Sequence, residues 1–218
     1  MRERTEIKIC GLTNIGDAEA ALELGADFLG FVLYPDSPRG ISPVQLLAIL
    51  ARLPEQAKAV GVFVNADREW VLTVARECGL AAVQLHGDET ADKFRGLPMP
   101  IWRAVRRAGS EWRPSPGSWS AARYVIDAFA PAKYGGTGQL ADWPAAAELA
   151  AGTCCMLAGG LTPENVADGI RVVRPKGVDV AGGVEAAPGR KDYVKMEAFV
   201  RQVRAADVAA GAAETKAD

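Results

Sequence analysis

Short β-branched and apolar runs recur along the chain at intervals of roughly twenty to thirty residues, each followed by a polar or glycine-containing turn and usually a segment of helical period. The runs predict eight strands: Glu6 to Cys10, Asp27 to Leu33, Lys58 to Val64, Ala81 to His86, Ile101 to Val105, Arg123 to Asp127, Thr153 to Ala158 and Gly177 to Ala181. Strands such as Phe28-Leu29-Gly30-Phe31-Val32-Leu33 are apolar on both faces, as expected of parallel strands covered on both sides. Between them, Ser42-Pro43 supplies an N-cap and a first-turn proline for a helix with Leu46, Leu50 and Leu53 on one face. Thr162-Pro163 repeats that grammar ahead of Val166, Ile170 and Val173, and Asp67 opens a third helix carrying Trp70, Val71, Val74 and Cys78, stopped by Gly79.

An open doubly wound sheet would show the same alternation. Eight strands with candidate site residues at nearly every strand end favour closure into a single-domain α/β fold, a (β/α)8 TIM barrel of eight parallel strands. Arg106 to Ser120 holds Gly109, Pro114, Pro116 and Gly117, so the fifth helix is expected to be short or degenerate. From Ala205 onward no apolar stripe persists. The barrel domain is therefore assigned to residues 1–206, and 207–218 to a frayed alanine-rich tail.

At 218 residues and 49% hydrophobic, the chain can bury one sizeable core and fits the lower end of barrel length. A net charge of −2, with both signs interspersed, offers no basic face for nucleic acid. The charged start, Met1 to Lys8, and the lack of a long apolar run point to a soluble, cytoplasmic protein with no membrane partner. Cys10, Cys78, Cys154 and Cys155 lack zinc-ligand spacing and read as reduced thiols, and the one histidine, His86, excludes sites needing several imidazoles. No metal and no cofactor is called for. The pattern leaves monomer and homodimer open.

In a parallel barrel the loops after the strands form one face, where residues converge over the pore. The first predicted strand ends at Cys10 and the sixth at Asp127; the seventh leads into Gly159-Gly160 and the eighth, with Asp179, into Gly182-Gly183. Glycine pairs after adjacent strands let backbone N–H groups point at an anion, which suits a phosphate, although glycines also serve plain turns. Each side chain has an ordinary reading as well: Cys10 as core filling, Asp127 as a loop cap, His86 as a partner of a loop carbonyl, Arg39 as a surface cation.

Lys8-Ile9-Cys10-Gly11 with Thr13-Asn14, Tyr34-Pro35-Asp36-Ser37-Pro38-Arg39, Gly61-Val62-Phe63-Val64-Asn65, Gln84-Leu85-His86-Gly87, Gly135-Gly136-Thr137-Gly138, Gly159-Gly160-Leu161 and Gly182-Gly183-Val184-Glu185 follow one another in order. The ordered set, from Ile7 to about Arg204, resembles the phosphoribosylanthranilate isomerase family. The resemblance implies an Amadori rearrangement of a small phosphorylated substrate in tryptophan biosynthesis. It makes Cys10 the general base, Asp127 the general acid and Arg39 the partner of the anthranilate carboxylate, with phosphate on the two glycine loops. His86 and Asp179 are expected to contact substrate, Asp179 through a ribose hydroxyl or else in a structural role. Two departures stand out: Ala181-Gly182-Gly183 occupies the place of a usual pair of serines before glycine, and Ala141 replaces an aromatic residue before Asp142-Trp143.

That chemistry needs a protonated acid, so Asp127 must rise from an ordinary pKa of ~3.9 through burial, while Cys10 needs only a small depression from ~8.5. Lys8 shares a face with Cys10 but would need a charged partner inside the barrel. Two other readings fit parts of the pattern. One is the histidine-pathway isomerase of the same chemistry, or a dual-specificity form, though such relatives use two aspartates. The other is a catalytically silent phosphate-ligand binder, which would have no use for Cys10 and Asp127 together.

Overall fold

The computed structural model describes residues 4–128 and 138–214, with side chains up to Gly211; Gly135-Gly136-Thr137 of the fifth motif lies outside them. Strands β1 (Glu6–Cys10), β2 (Phe28–Val32), β3 (Ala59–Phe63), β4 (Ala82–Leu85) and β5 (Ile101–Ala108) precede a short β6 (Glu111–Arg113). β7 (Arg123–Asp127), β8 (Cys155–Leu157) and β9 (Gly177–Val180) follow. β1 pairs in parallel with β2 and β9, and β4 with β5, so the ring closes and excludes only β6. Helices α1 (Ile15–Glu23), α2 (Pro43–Leu50), α3 (Arg68–Glu77), α4 (Ala91–Phe94), α5 (Trp143–Ala150), α6 (Val166–Val173) and α7 (Tyr193–Glu214) lie along the chain between and after the strands.

Local chemistry explains most helix starts. Ser42 and Gln45 form a reciprocal capping box at α2, with Ser42 Oγ accepting from Gln45 N and Gln45 Oε1 accepting from Ser42 N. Asp67 caps α3 by accepting from Glu69 N. Thr162-Pro163 does not open α6 as expected. The helix begins at Val166, because Asn165 first ties the loop, accepting from Thr162 N at 2.8 Å and donating to Gly160 O at 2.9 Å.

Alternation along each strand separates two cores. Ile7, Ile9, Leu29, Phe31, Val83, Leu85, Ile126 and Val178 pack outward with helix residues such as Leu46, Val71, Ile170 and Phe199. Phe28, Val60, Ala82, Trp102, Ala104, Val125, Met156 and Ala158 form a second cluster inside the barrel. Arg123 sits in that interior over the rings of Phe28 and Trp102, 5.1 and 5.0 Å from their centroids, and is ion-paired to Glu6.

Two stretches depart from the sequence-based expectation. The fifth crossover has only a degenerate helix, the 3-10 turn Pro116–Ser118, as expected, but also an unforeseen β-hairpin: β5 extends to Ala108, turns through Gly109 at φ +61° and pairs antiparallel with β6. Nor does the chain fray at Ala205. The alanine-rich stretch, high in helix propensity, continues α7 to Glu214, where Asp207 accepts from both the N–H and the hydroxyl of Thr5 at the foot of β1.

Gly30 in β2 is the glycine that shapes the interior. A Cβ there would stand 2.7 Å from Cys10 Sγ and 2.9 Å from Lys8 Cε, so the absent side chain is the space those two groups occupy. Gly30→Ala is therefore expected to lose about 1–3 kcal/mol of stability, seen as a lower denaturant midpoint at unchanged slope.

Candidate active site

The strands end, at their carboxyl side, around a cavity of about 800 Å³, within the range that encloses small ligands. Cys10, Arg39, His86, Asp127 and Asp179 line it together with Gly159-Gly160 and Gly182-Gly183. The structure thus gathers into one place the candidate acid, base, arginine, histidine, Asp179 and the two glycine pairs. Gly159 and Gly160 have φ of +76° and +62°, a backbone turn that side chains oppose. A Cβ on Gly159 would meet Ala128 N at 2.6 Å, so this loop lies directly against Asp127's neighbour.

Inside the mouth, one hydrogen-bonded chain crosses the barrel. Lys8 Nζ donates to Asp179 Oδ2 at 2.8 Å and to Gln84 Oε1 at 3.0 Å. Gln84 Nε2 lies 2.9 Å from His86 Nδ1, and His86 Nε2 lies 3.0 Å from Asp127 Oδ2. Asp127 Oδ1 accepts from Ala128 N at 2.8 Å, and Arg106 Nη2 donates to the His86 carbonyl at 2.6 Å. Lys8 and Gln84 are almost wholly buried, so solvent does not substitute for any of these partners. Asp179 is the charged partner that Lys8 requires; its other oxygen, Oδ1, is buried with no hydrogen-bond partner among the described residues.

The protonation states differ from the sequence-based expectation for both candidate catalytic groups. Burial favours protonating Asp127, but the His86 hydrogen bond, the Arg106 charge and the Ala128 N–H outweigh it and hold the carboxyl below its ordinary value. For Cys10, burial wins over the attraction of Lys8 and pushes the thiol up. Lys8 itself loses to burial but gains more from Asp179 and Cys10, and stays above the ordinary lysine value. The free protein therefore pairs a Cys10 thiol with an Asp127 carboxylate.

A second polar cluster forms the rim. After β9 a 3-10 turn, Gly182–Val184, leads into a small hairpin of β10 (Glu185–Ala187) and β11 (Arg190–Lys191). Arg39 Nε and Nη2 donate to Glu185 Oε1 and Oε2 at 2.8 and 2.7 Å, a two-bond fork. Lys191 Nζ also donates to Glu185 Oε1, at 2.8 Å, and to the Cys10 carbonyl at 2.6 Å. Burial opposes the charge on Glu185, but its two cationic partners prevail and keep it below the ordinary glutamate value. Glu185 thus holds one edge of the Arg39 guanidinium and leaves the Nη1/Nη2 edge for a ligand. Sequence reasoning passed over Glu185, although it closes the Gly182-Gly183-Val184-Glu185 motif; Lys191 carried no signal at all.

Among the described residues, no helix is long and apolar enough to cross a membrane, and no group of three or more His, Cys, Asp or Glu side chains is arranged to hold a metal.

The family model described as N-(5'phosphoribosyl)anthranilate (PRA) isomerase matches residues 7–202. The N-(5'-phosphoribosyl)anthranilate isomerase of Trichlorobacter lovleyi is 46% identical over 202 residues, covering 92% of this chain and 98% of that protein. Monomers generated from the dimeric enzyme of Thermotoga maritima superpose with a TM-score of 0.78 at 36% identity, covering 92% of this chain and 99% of theirs. A solved phosphoribosyl anthranilate isomerase in complex with reduced 1-(o-carboxyphenylamino)-1-deoxyribulose 5-phosphate gives a TM-score of 0.79, also at 36% identity, with the same coverage. Fold, cavity and kinship agree, and the chain belongs to the N-(5'-phosphoribosyl)anthranilate isomerase family.

Proposed function

We propose that this family member carries out its isomerisation, an Amadori rearrangement of N-(5'-phosphoribosyl)anthranilate in the cytoplasm, with Cys10 as general base and Asp127 as general acid. The observation that carries the assignment is that both side chains line one cavity at the barrel mouth, with the Asp127 carboxylate held by His86 and the Ala128 N–H. Asp127 delivers a proton to the ribose ring oxygen as the bond from that oxygen to C1 breaks, and the nitrogen lone pair closes the C1=N double bond. Cys10, as thiolate, takes the C2 proton, and those electrons form C1=C2 while nitrogen recovers its lone pair. The enolamine then gains a proton at C1 and loses one from the C2 hydroxyl, giving 1-(2-carboxyphenylamino)-1-deoxyribulose 5-phosphate.

The free protein holds Cys10 and Asp127 in the states that this first half-reaction leaves behind. Turnover needs the opposite arrangement, reached when Cys10 releases its proton to solvent and Asp127 takes one up as substrate binds. A phosphate on the loops of Gly159-Gly160 and Gly182-Gly183 adds negative charge to the mouth and raises Asp127, and Lys8 steadies the thiolate once it forms. No hydrogen bond runs from the Gly160 or Gly183 N–H to another described residue, which leaves both donors for the anion. Ala181 and Gly182 in place of serines then cost hydroxyl contacts, not backbone ones. The anthranilate carboxylate takes the open edge of Arg39, and Asp179 Oδ1 is the acceptor available to a ribose hydroxyl. Every candidate site residue comes from one chain, so the reading holds for a monomer or for a homodimer such as the Thermotoga relative.

Substrate generated in situ from anthranilate and phosphoribosyl pyrophosphate by a separate transferase, and followed by loss of its fluorescence, tests the assignment. Wild type is expected to consume it, with Cys10→Ala and Asp127→Asn each about 10²- to 10⁴-fold slower at unchanged unfolding midpoint. A folded wild type without turnover, or folded variants within about tenfold of it, would defeat the reading. Glu185→Gln, which keeps shape but loosens Arg39, is expected to raise KM about tenfold while kcat stays within about threefold, the mark of lost uniform binding.

A further inference from the structure

The chain from Lys8 to Asp127 has a direction, and that direction follows from one chemical fact. A lysine ammonium only donates, so the Gln84 atom facing Lys8 Nζ at 3.0 Å must be the amide oxygen. The amide NH₂ then faces His86 Nδ1 at 2.9 Å, which makes Nδ1 the acceptor and puts the ring proton on Nε2, 3.0 Å from Asp127 Oδ2. Flipping Gln84 would set donor against donor at Lys8. With Gln84 at 1% and Lys8 at 0% exposure, no water is at hand to relieve that clash.

We propose that His86 is a positioning residue, fixed as the Nε2–H tautomer by Gln84 and Lys8, and that it confines the catalytic proton of Asp127 to the side facing the cavity. This rests on the reading of Asp127 as the acid. The His86 backbone is anchored independently of any ligand, its amide N–H donating to Phe63 O at 2.9 Å and its carbonyl accepting from Arg106. Both Asp127 oxygens already accept a hydrogen bond, Oδ1 from Ala128 N and Oδ2 from His86. A proton on Asp127 that pointed at His86 would need a bare Nε2, hence a proton on Nδ1 facing the Gln84 NH₂. The network forbids that pairing, so the proton occupies a lone pair directed at substrate. Nor is the chain a proton shuttle, because an amide sits in its middle and neither gains nor loses a proton.

The sequence contains one histidine, so a long-range ¹H–¹⁵N spectrum of the full chain reports His86 alone. In the neutral ring, Nδ1 is expected as an unprotonated, pyridine-type nitrogen and Nε2 as a protonated, pyrrole-type one. A protonated Nδ1 would overturn the proposal. Gln84→Glu offers His86 an acceptor; Nδ1 should become protonated and kcat should fall about 100-fold with KM within about threefold. A protonated Nδ1 with kcat unchanged would overturn the positioning role. Should that variant not fold, the wild-type spectrum still decides. The spectrum needs no substrate, so an Nε2–H signal without turnover defeats the reading of Asp127 as acid, not the chain of hydrogen bonds.

Discussion

A lysine ammonium and an aspartate carboxylate, 2.8 Å apart inside a parallel barrel, set the terms for the mouth above them. Each charge alone would cost several kcal/mol to bury there, and only mutual pairing with further hydrogen bonds offsets that cost. Lys8 accordingly spends its donors on Asp179 and Gln84, and Gln84 passes the polarity on to His86 and Asp127. Gly30 is the corresponding void: the neighbouring strand gives up a side chain so that Lys8 and Cys10 fit. Cys10 and Asp127 are thus both tied to the same buried cation, Cys10 by its charge and Asp127 through Gln84 and His86.

The rim works separately. Arg39, Glu185 and Lys191 come from the loop after β2 and the hairpin after β9, and Lys191 fixes the Cys10 carbonyl while Glu185 fixes Arg39. In the proposed reading, one cluster governs where protons go and the other where the substrate's carboxylate lies. That division explains how Asp127 can rest as a carboxylate and Cys10 as a thiol without loss of readiness. In the proposed reading the protein supplies position, and the charge of the arriving phosphate raises Asp127.

Much of this was legible in the residues. Apolar runs such as Phe28 to Leu33 marked strands, Ser42-Pro43 and Asp67 marked helix starts, and the position of Cys10 and Asp127 at strand ends marked the mouth. What escaped was non-local. Lys8 meets Asp179 and Gln84 across 171 and 76 residues, a pairing that no local pattern encodes. The expected pKa directions were reversed by burial at Cys10, which outweighs Lys8, and at Asp127 by His86, Arg106 and the Ala128 N–H, which outweigh burial. Gly109 and the prolines after it were seen to break a helix, yet the same residues equally permit the hairpin of β5 and β6. The terminal alanines lack an apolar stripe, and α7 is secured there by Asp207 reaching Thr5, again 202 residues away.

The most direct test of two clusters with separate tasks is a crystal structure of this protein with the reduced product analogue, 1-(o-carboxyphenylamino)-1-deoxyribulose 5-phosphate. The account predicts phosphate on the loops after β8 and β9 and the carboxylate on the free edge of Arg39 with its pair to Glu185 intact. It also predicts C2 within about 3.5 Å of Cys10 Sγ. A reversed ligand, with phosphate on Arg39, or a carboxylate that displaces Glu185, would contradict it.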